Sequence, residues 1–208
     1  MDDFPASPAC PESPRRTDLT VVIPVHNGGA AFERCLQGLR DLEPQGFEVV
    51  VVDDGSTDGS AAKAEAFGAR VIRHARSLGP AAARNAGAKT ASGSLVFFID
   101  ADVIPHRDML TRSLAHLERR PELAALFGSY DDRPSARGLV SEYRNLLHHF
   151  VHQSGTFENE ARPAHTFWTG CGLVRRRVFL ELGGFDPELY RRPAIEDIEF
   201  GYRLSRGG

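Results

Sequence analysis

Phe97-Phe98-Ile99-Asp100-Ala101-Asp102-Val103 decides the reading of this 208-residue chain. Residues 94–99 form a short, largely apolar run, as in a strand buried on both faces of a parallel sheet. The run ends in two carboxylates, Asp100 and Asp102, separated by Ala101. Ligands of open α/β sheets bind beyond the carboxyl ends of the strands, which puts both acids at the edge of a site. If strand geometry continues through them, alternation turns both side chains to one face. Such a pair suits a hard divalent cation, Mg²⁺ or Mn²⁺, which takes one or two carboxylates and completes its shell with water and phosphate. The plainer alternative is a solvated loop with Asp102 capping the helix that follows.

Outward from this stretch the pattern repeats. Residues 19–25 are a β-branched strand, turned by His26-Asn27-Gly28-Gly29, and residues 30–42 carry Phe32, Cys35, Leu36 and Leu39 at helical spacing. Residues 47–52 form the next strand, ending in Asp53-Asp54-Gly55-Ser56-Thr57-Asp58. A helix over 60–67, a strand over 70–73 and a helix from Pro80 to about Thr90 lead into the acid pair. Strand and helix alternate throughout, which predicts an α/β fold with a doubly wound, mostly parallel, Rossmann-like sheet. Beyond Asp102 the spacing predicts helices over 106–119, 137–152 and 177–182, and strands over 123–129 and 166–174. A last helix spans 194–205, with Ile195, Ile198 and Tyr202 on its core face. Residues 1–16, with Pro5, Pro8, Pro11 and Pro14, read as a disordered leader, leaving 17–208 as one domain.

Composition narrows the function classes. A formal net charge of −3 with scattered Lys and Arg argues against nucleic-acid binding. Cys10, Cys35 and Cys171 make neither a disulfide framework nor a zinc pattern. No apolar run approaches the roughly 18–20 residues of a membrane span, so a cytoplasmic protein is expected, with contact at the inner membrane face left open. The turn after the first strand lacks the glycine fingerprint of a dinucleotide-binding fold, which disfavours a nicotinamide dehydrogenase.

The remaining motifs each carry two readings. Asp53 and Asp54 can accept from a base N–H or ribose hydroxyls, or simply build a turn. Asp54, Ser56, Asp58, Gly59 and Glu65 also fall at calcium-loop spacings, although a strand, not a helix, precedes them. Gly79-Pro80-Ala81-Ala82-Ala83-Arg84 starts a helix whose end can attract phosphate, with Arg84 in reach of a base or phosphate oxygen, or on a polar rim. His148, His149, His152 and His165 form a loose cluster without the partners of a zinc site. Glu196 and Asp197 open the last helix, where the helix dipole favours acids for stability alone.

Taken in order, Val22-Ile23-Pro24-Val25-His26-Asn27, Val51-Val52-Asp53-Asp54-Gly55-Ser56-Thr57-Asp58, Ala83-Arg84-Asn85-Ala86-Gly87, Phe98-Ile99-Asp100-Ala101-Asp102 and Gly183-Gly184-Phe185-Asp186 with Glu196-Asp197 resemble the inverting family 2 glycosyltransferases, which have an A-type nucleotide-sugar fold. The resemblance implies transfer of a sugar from a nucleotide-sugar donor, a UDP-sugar first, to a hydroxyl of a glycan, lipid or small molecule. It implies that Pro24, Val25, His26 and Asn27 line the nucleoside pocket with Asp53 and Asp54 on the base, and that Gly79 and Arg84 sit beside the nucleotide. Asp100, Ala101 and Asp102 become the Asp-x-Asp motif, with Asp102 on the metal and Asp100 on the metal and ribose. Asp197 becomes the catalytic base with Glu196 beside it, and Thr169, Gly170 and Cys171 shape the acceptor side. His26 stands where many members have tyrosine, and Ser77 where asparagine is frequent. The chain stops soon after Asp197, so a missing C-terminal portion is expected. A sugar-nucleotide-binding protein without transfer, and the calcium-loop protein, are the alternatives.

Overall fold

Thr20, Val21, Val22, Ile23 and Val25 in β1 (Leu19–Val25) and Val49–Val52 in β2 (Glu48–Asp53) favour the pleated, two-sided burial of a central strand. The computed structural model describes residues 18–131, 143, 146, 147, 166–190, 192 and 194–207. The leader, Cys10, the loop at 155–163, the four clustered histidines and most of the helix expected over 137–152 lie outside the described residues. In chain order β1 is followed by α1 (Gly29–Asp41), β2, α2 (Ser60–Phe67), β3 (Arg70–Arg73), α3 (Pro80–Thr90) and β4 (Leu95–Ile99). Then come α4 (Met109–Arg119), β5 (Ala125–Phe127), β6 (Cys171–Arg175), α5 (Arg176–Glu181) and α6 (Glu196–Gly207).

The six strands form one sheet in the order β3-β2-β1-β4-β6-β5. The first four are parallel and β6 runs antiparallel to both β4 and β5. Alternation splits each central strand between two cores. Val21, Ile23, Val25, Val51, Leu95, Phe97 and Ile99 pack with Phe32, Leu36 and Leu39 of α1 and Leu110 and Leu117 of α4. Val22, Val50, Val52, Val96 and Phe98 face the other way, onto Ala81, Ala83 and Ala88 of α3, Phe179 of α5 and Phe200 of α6. The second core is aromatic: Phe98, Phe179, Phe185 and Phe200 lie with ring centroids 5.1–5.8 Å apart. Each such ring, fully buried, contributes about 1.5–3 kcal/mol of transfer free energy.

The predicted doubly wound α/β sheet is the fold observed, with three corrections. The expected strand over 166–174 is a strand only at Cys171–Arg175, because Thr166–Gly170 turns over the sheet edge. The stripe Ile195, Ile198 and Tyr202 does not face the core; these residues are 55%, 40% and 49% exposed. α6 instead buries Phe200 among the rings and Glu196 against Arg84. Strand geometry also stops at Ile99, since Val103 N–H donates to Asp100 O and closes a turn. Among the described residues, no helix is long and apolar enough to cross a membrane.

Candidate active site

The strand order places one sheet edge at the centre of the chemistry. β1 leads outward to β2 on one side, whereas β4 lies on its other side, which makes a crevice beyond the carboxyl ends of β1 and β4. His26 and Asn27 follow β1, Asp54 follows β2, and Asp100–Asp102 follow β4. Because β6 is antiparallel, its first residue Cys171 pairs with Ile99, and Thr169–Cys171 arrive at the same edge.

The first two loops are laced together. Asn27, at φ 52°, donates its N–H to Ser56 Oγ (2.9 Å) and accepts from Thr57 N–H (2.8 Å). Gly28 N–H reaches Ser60 Oγ and Gly29 N–H reaches Asp58 Oδ2. His26 Nδ1–H donates to Asp54 O at 2.8 Å, leaving Nε2 to accept from Asn27 Nδ2. Both His26 and Asn27 are exposed, with Pro24 partly and Val25 fully covered beneath them. Asp53 is buried and accepts Ser56 N–H. These bonds dispose of the calcium-loop reading. Asp54 points to the β3–α3 loop, Asp58 holds Gly29 and Ser60, and Glu65 pairs with Arg73, so the oxygens do not converge.

Asp54 is 4% exposed. Its Oδ1 accepts from His74 Nδ1 (2.6 Å) and Leu78 N–H (2.9 Å), and its Oδ2 from Ser77 Oγ (2.7 Å) and Gly79 N–H (2.9 Å). Burial opposes its ionisation, yet the bonds from His74, Leu78, Ser77 and Gly79 carry its carboxyl below the usual range. The expectation that Asp54 meets the base therefore finds both oxygens already taken. The anion beside the start of α3, where a phosphate was expected, is this carboxylate. Gly79, at φ 94°, provides the backbone that presents its amide there. Gly55 completes the contact, since a Cβ on it would lie 2.8 Å from Arg76 C and Ser77 N.

Asp102 is exposed and accepts no hydrogen bond from any described residue. Asp100 gives Oδ1 to Arg84 Nη2 at 2.7 Å, and its Oδ2 has no described partner. One free carboxylate and one free oxygen of its neighbour, both hard, suit Mg²⁺ or Mn²⁺ whose remaining ligands come from diphosphate and water. Among the described residues no third His, Cys, Asp or Glu joins them.

Arg84, expected near a base or phosphate oxygen, is 5% exposed and held from both ends. Nη2 donates to Asp100 Oδ1 and Nη1 to Glu196 Oε1 (3.0 Å), while Nε has no hydrogen-bond partner among the described residues. Its guanidinium carbon lies 5.9 Å from the Phe185 ring centre. Glu196, 4% exposed, also accepts Ala194 N–H on Oε2. Its carboxylate is thus committed to structure, whereas the next residue, Asp197, is only partly buried and bonds through Oδ1 to Ile198 N–H. Burial, reinforced by the charge of Glu196, raises the Asp197 carboxyl above its ordinary range. Asp197 O accepts Phe167 N–H, which ties α6 to the loop before β6.

That loop closes the site. Thr169, Gly170 and Cys171 are all buried; the Cys171 thiol lies 3.2 Å from Met109 Sδ and burial pushes it up to about 11. A Cβ on Gly170 would press on the Trp168 indole at 2.6 Å. Trp168 and Tyr130 pack as tilted rings with centroids 4.6 Å apart, and burial with the charges of Asp102 and Asp100 pushes Tyr130 up to about 12. Sequence reading missed Tyr130 and Trp168, which sit in no block, and gave no role to Asn85 of the Ala83–Gly87 block, which fastens the Gly184–Phe185 turn.

The comparisons identify the family and the fold. The profile of glycosyl transferase family 2 matches residues 20–183. A pre-mycofactocin glycosyltransferase of Mycobacterium tuberculosis is 32% identical over 100% of the chain and 43% of its own length. A validoxylamine A glucosyltransferase of Streptomyces hygroscopicus subsp. limoneus is also 32% identical, over 91% of the chain and 48% of its own length. The chain thus spans less than half of either relative. Among solved structures, a mannosyltransferase from Pyrobaculum calidifontis in complex with GDP-Man and Mn²⁺ has a TM-score of 0.69 at 24% identity, over 92% of this chain and 53% of that one. Staphylococcus aureus TarS 1–349 in complex with UDP has a TM-score of 0.72 at 21% identity, over 91% and 55%. Both share the A-type fold. The chain belongs to glycosyl transferase family 2.

Proposed function

We propose that this chain binds a nucleoside-diphosphate sugar, a UDP-sugar first, and transfers the sugar to an acceptor hydroxyl with inversion. The observation that carries this is a pair of carboxylates on one buried cation, Asp100 and Glu196 on Arg84, with Asp197 next in the chain and its Oδ2 without a described partner. Asp197 takes the proton of the acceptor hydroxyl, whose oxygen forms a bond to the anomeric carbon as the bond to the diphosphate oxygen breaks on the opposite face. Its raised carboxyl makes it a stronger base once ionised. Pro24, Val25, His26, Asn27 and Asp53 frame the nucleoside, and Asp54 and Gly79 act by holding the β3–α3 loop against it. Asp102 with the free oxygen of Asp100 would hold Mg²⁺ or Mn²⁺, which supplies positive charge to the leaving diphosphate. Thr169, Gly170 and Cys171 back the acceptor side, behind Trp168 and Tyr130.

The test is release of nucleoside diphosphate from a panel of sugar nucleotides, with and without candidate acceptors, by the chain and its Asp197→Asn variant. Turnover that falls about 10²–10⁴-fold in the variant, with donor binding retained, supports the base. Donor binding without release by either protein supports binding without transfer.

A further inference from the structure

Arg84 ties together two parts of the site that are far apart in sequence. Asp100 ends β4 and Glu196 opens α6, and a single guanidinium joins them, inside the core and beneath the surface that the substrates would meet. Arg84 stands on the second turn of α3, a helix whose start is fixed by Asp54 and whose Asn85 is fastened to Phe185. It cannot swing toward a ligand without leaving Glu196 unpaired in the interior and Asp100 unpaired at its edge, at a cost that opposes the movement. Its charge is nonetheless shared with an acid that has a free oxygen at the proposed cation site.

We propose that Arg84 is a positioning residue that couples the two ends of the reaction site, a reading that rests on the transferase assignment above. Toward the donor, it restrains Asp100 and offsets part of its charge, so that the Asp100–Asp102 pair holds a divalent cation less tightly than two unpaired carboxylates would. Toward the acceptor, it fixes Glu196 and with it the start of α6, which sets where Asp197 meets the hydroxyl. The planar fork of arginine spans two acceptors at once, which the point charge of lysine does not. The same guanidinium makes the two ends communicate. Neutralising Glu196 leaves Arg84 wholly to Asp100, and the cation is then held more weakly.

The test uses MnCl₂ and UDP in calorimetry alongside steady-state transfer. Arg84→Met is expected to bind Mn²⁺ in the presence of UDP about tenfold tighter, the order by which one nearby charge alters occupancy of an adjacent carboxylate. It is expected to lose roughly 10²-fold in kcat, the effect of about 1 Å of misplacement, without a rise in donor KM. Glu196→Gln is expected to weaken Mn²⁺ binding when Arg84 is present and to leave it unchanged in the Arg84→Met background. Arg84→Lys restores only part of kcat. Should Arg84→Met not fold, the double variant Arg84→Met/Glu196→Gln removes both buried charges and carries the same expectation for Mn²⁺. Parental Mn²⁺ affinity and parental kcat per folded molecule in these variants overturn the proposal and leave Arg84 a packing residue. If the parent chain transfers no sugar, it is the transferase assignment that fails, and the calorimetric comparison still decides whether Arg84 couples Glu196 to the cation.

Discussion

Asn85 and Phe185 exchange two hydrogen bonds: Asn85 Nδ2 donates to Phe185 O at 2.7 Å, and Phe185 N–H donates to Asn85 Oδ1 at 2.9 Å. The amide replaces a strand partner for a turn that has none, and it seats Phe185 in the aromatic cluster. Gly184, at φ 69°, leaves room for it, since a Cβ there would lie 2.4 Å from Asn85 Oδ1.

Asn85→Ala leaves one buried donor and one buried acceptor of Phe185 without partners. Roughly 2 kcal/mol of stability should be lost, which in a chain of this size lowers Tm by about 4–8 °C. Asn85→Asp keeps an acceptor for Phe185 N–H but sets a carboxylate against Phe185 O, so it should not restore the parent Tm. A melt of either variant at the parental temperature would show that the turn holds itself.

A second prediction concerns Asp54. Replacing it by Asn keeps the shape but presents an NH₂ group to donors that include Leu78 N–H and Gly79 N–H. The loss should be roughly 3 kcal/mol, within the range for charge-assisted bonds. Its folded carboxyl lies below the unfolded value, so its contribution is present above the ordinary aspartate range and is lost as pH falls through the depressed one. The gap in Tm between parent and Asp54→Asn should therefore be full at neutral pH and narrow below about pH 4. A gap that does not change with pH would mean that the carboxylate is not ionised in the folded chain.

The parallel half of the sheet was legible because β1, β2 and β4 are buried on both faces and read as unbroken apolar runs. The outer face of α6 was not. Ile195, Ile198 and Tyr202 form the stronger apolar stripe, but Glu196 has to meet Arg84, and Phe200 has to meet Phe179 and Phe185. A buried ion pair 112 residues apart leaves no local signal in the sequence. The roles of Asp54 and Arg84 were obscured for the same reason. A carboxylate at a strand end and a cation at a helix start look like ligand groups until the partner that neutralises each of them is seen.

Asp197 gives a prediction about stability as well as rate. Its carboxyl is raised in the folded chain, so its ionised form is disfavoured there relative to the unfolded chain. The cost is fully present above the raised value and vanishes below the ordinary one. Asp197→Asn should then melt slightly higher than the parent at neutral pH, with the two converging in acid. The acid limb of kcat against pH should lie above the ordinary aspartate range near 4. An acid limb at or below that range would remove Asp197 as the group that must ionise.

Asp102 separates stability from ligand binding most cleanly. Asp100 is tied to the buried Arg84 by a hydrogen bond, so its replacement disturbs structure as well as chemistry, and Asp197 opens α6 and accepts the adjacent Ile198 N–H. Asp102 is exposed in the turn after β4 and holds no described partner. Asp102→Ala should therefore keep the parent stability to within about 0.5 kcal/mol, as surface substitutions do. Binding of UDP in the presence of Mn²⁺ should fall at least about tenfold, because the cation loses one of its two proposed protein carboxylates. Without the cation, parent and variant should bind UDP equally, since the proposed nucleoside pocket is built from the β1 and β2 loops. A thermal melt reads the stability, and calorimetric titration of UDP with and without chelator reads the affinities of both proteins. Equal affinities with the cation present would leave Asp102 a turn residue, and the cation would have to be held by Asp100 and the substrate alone.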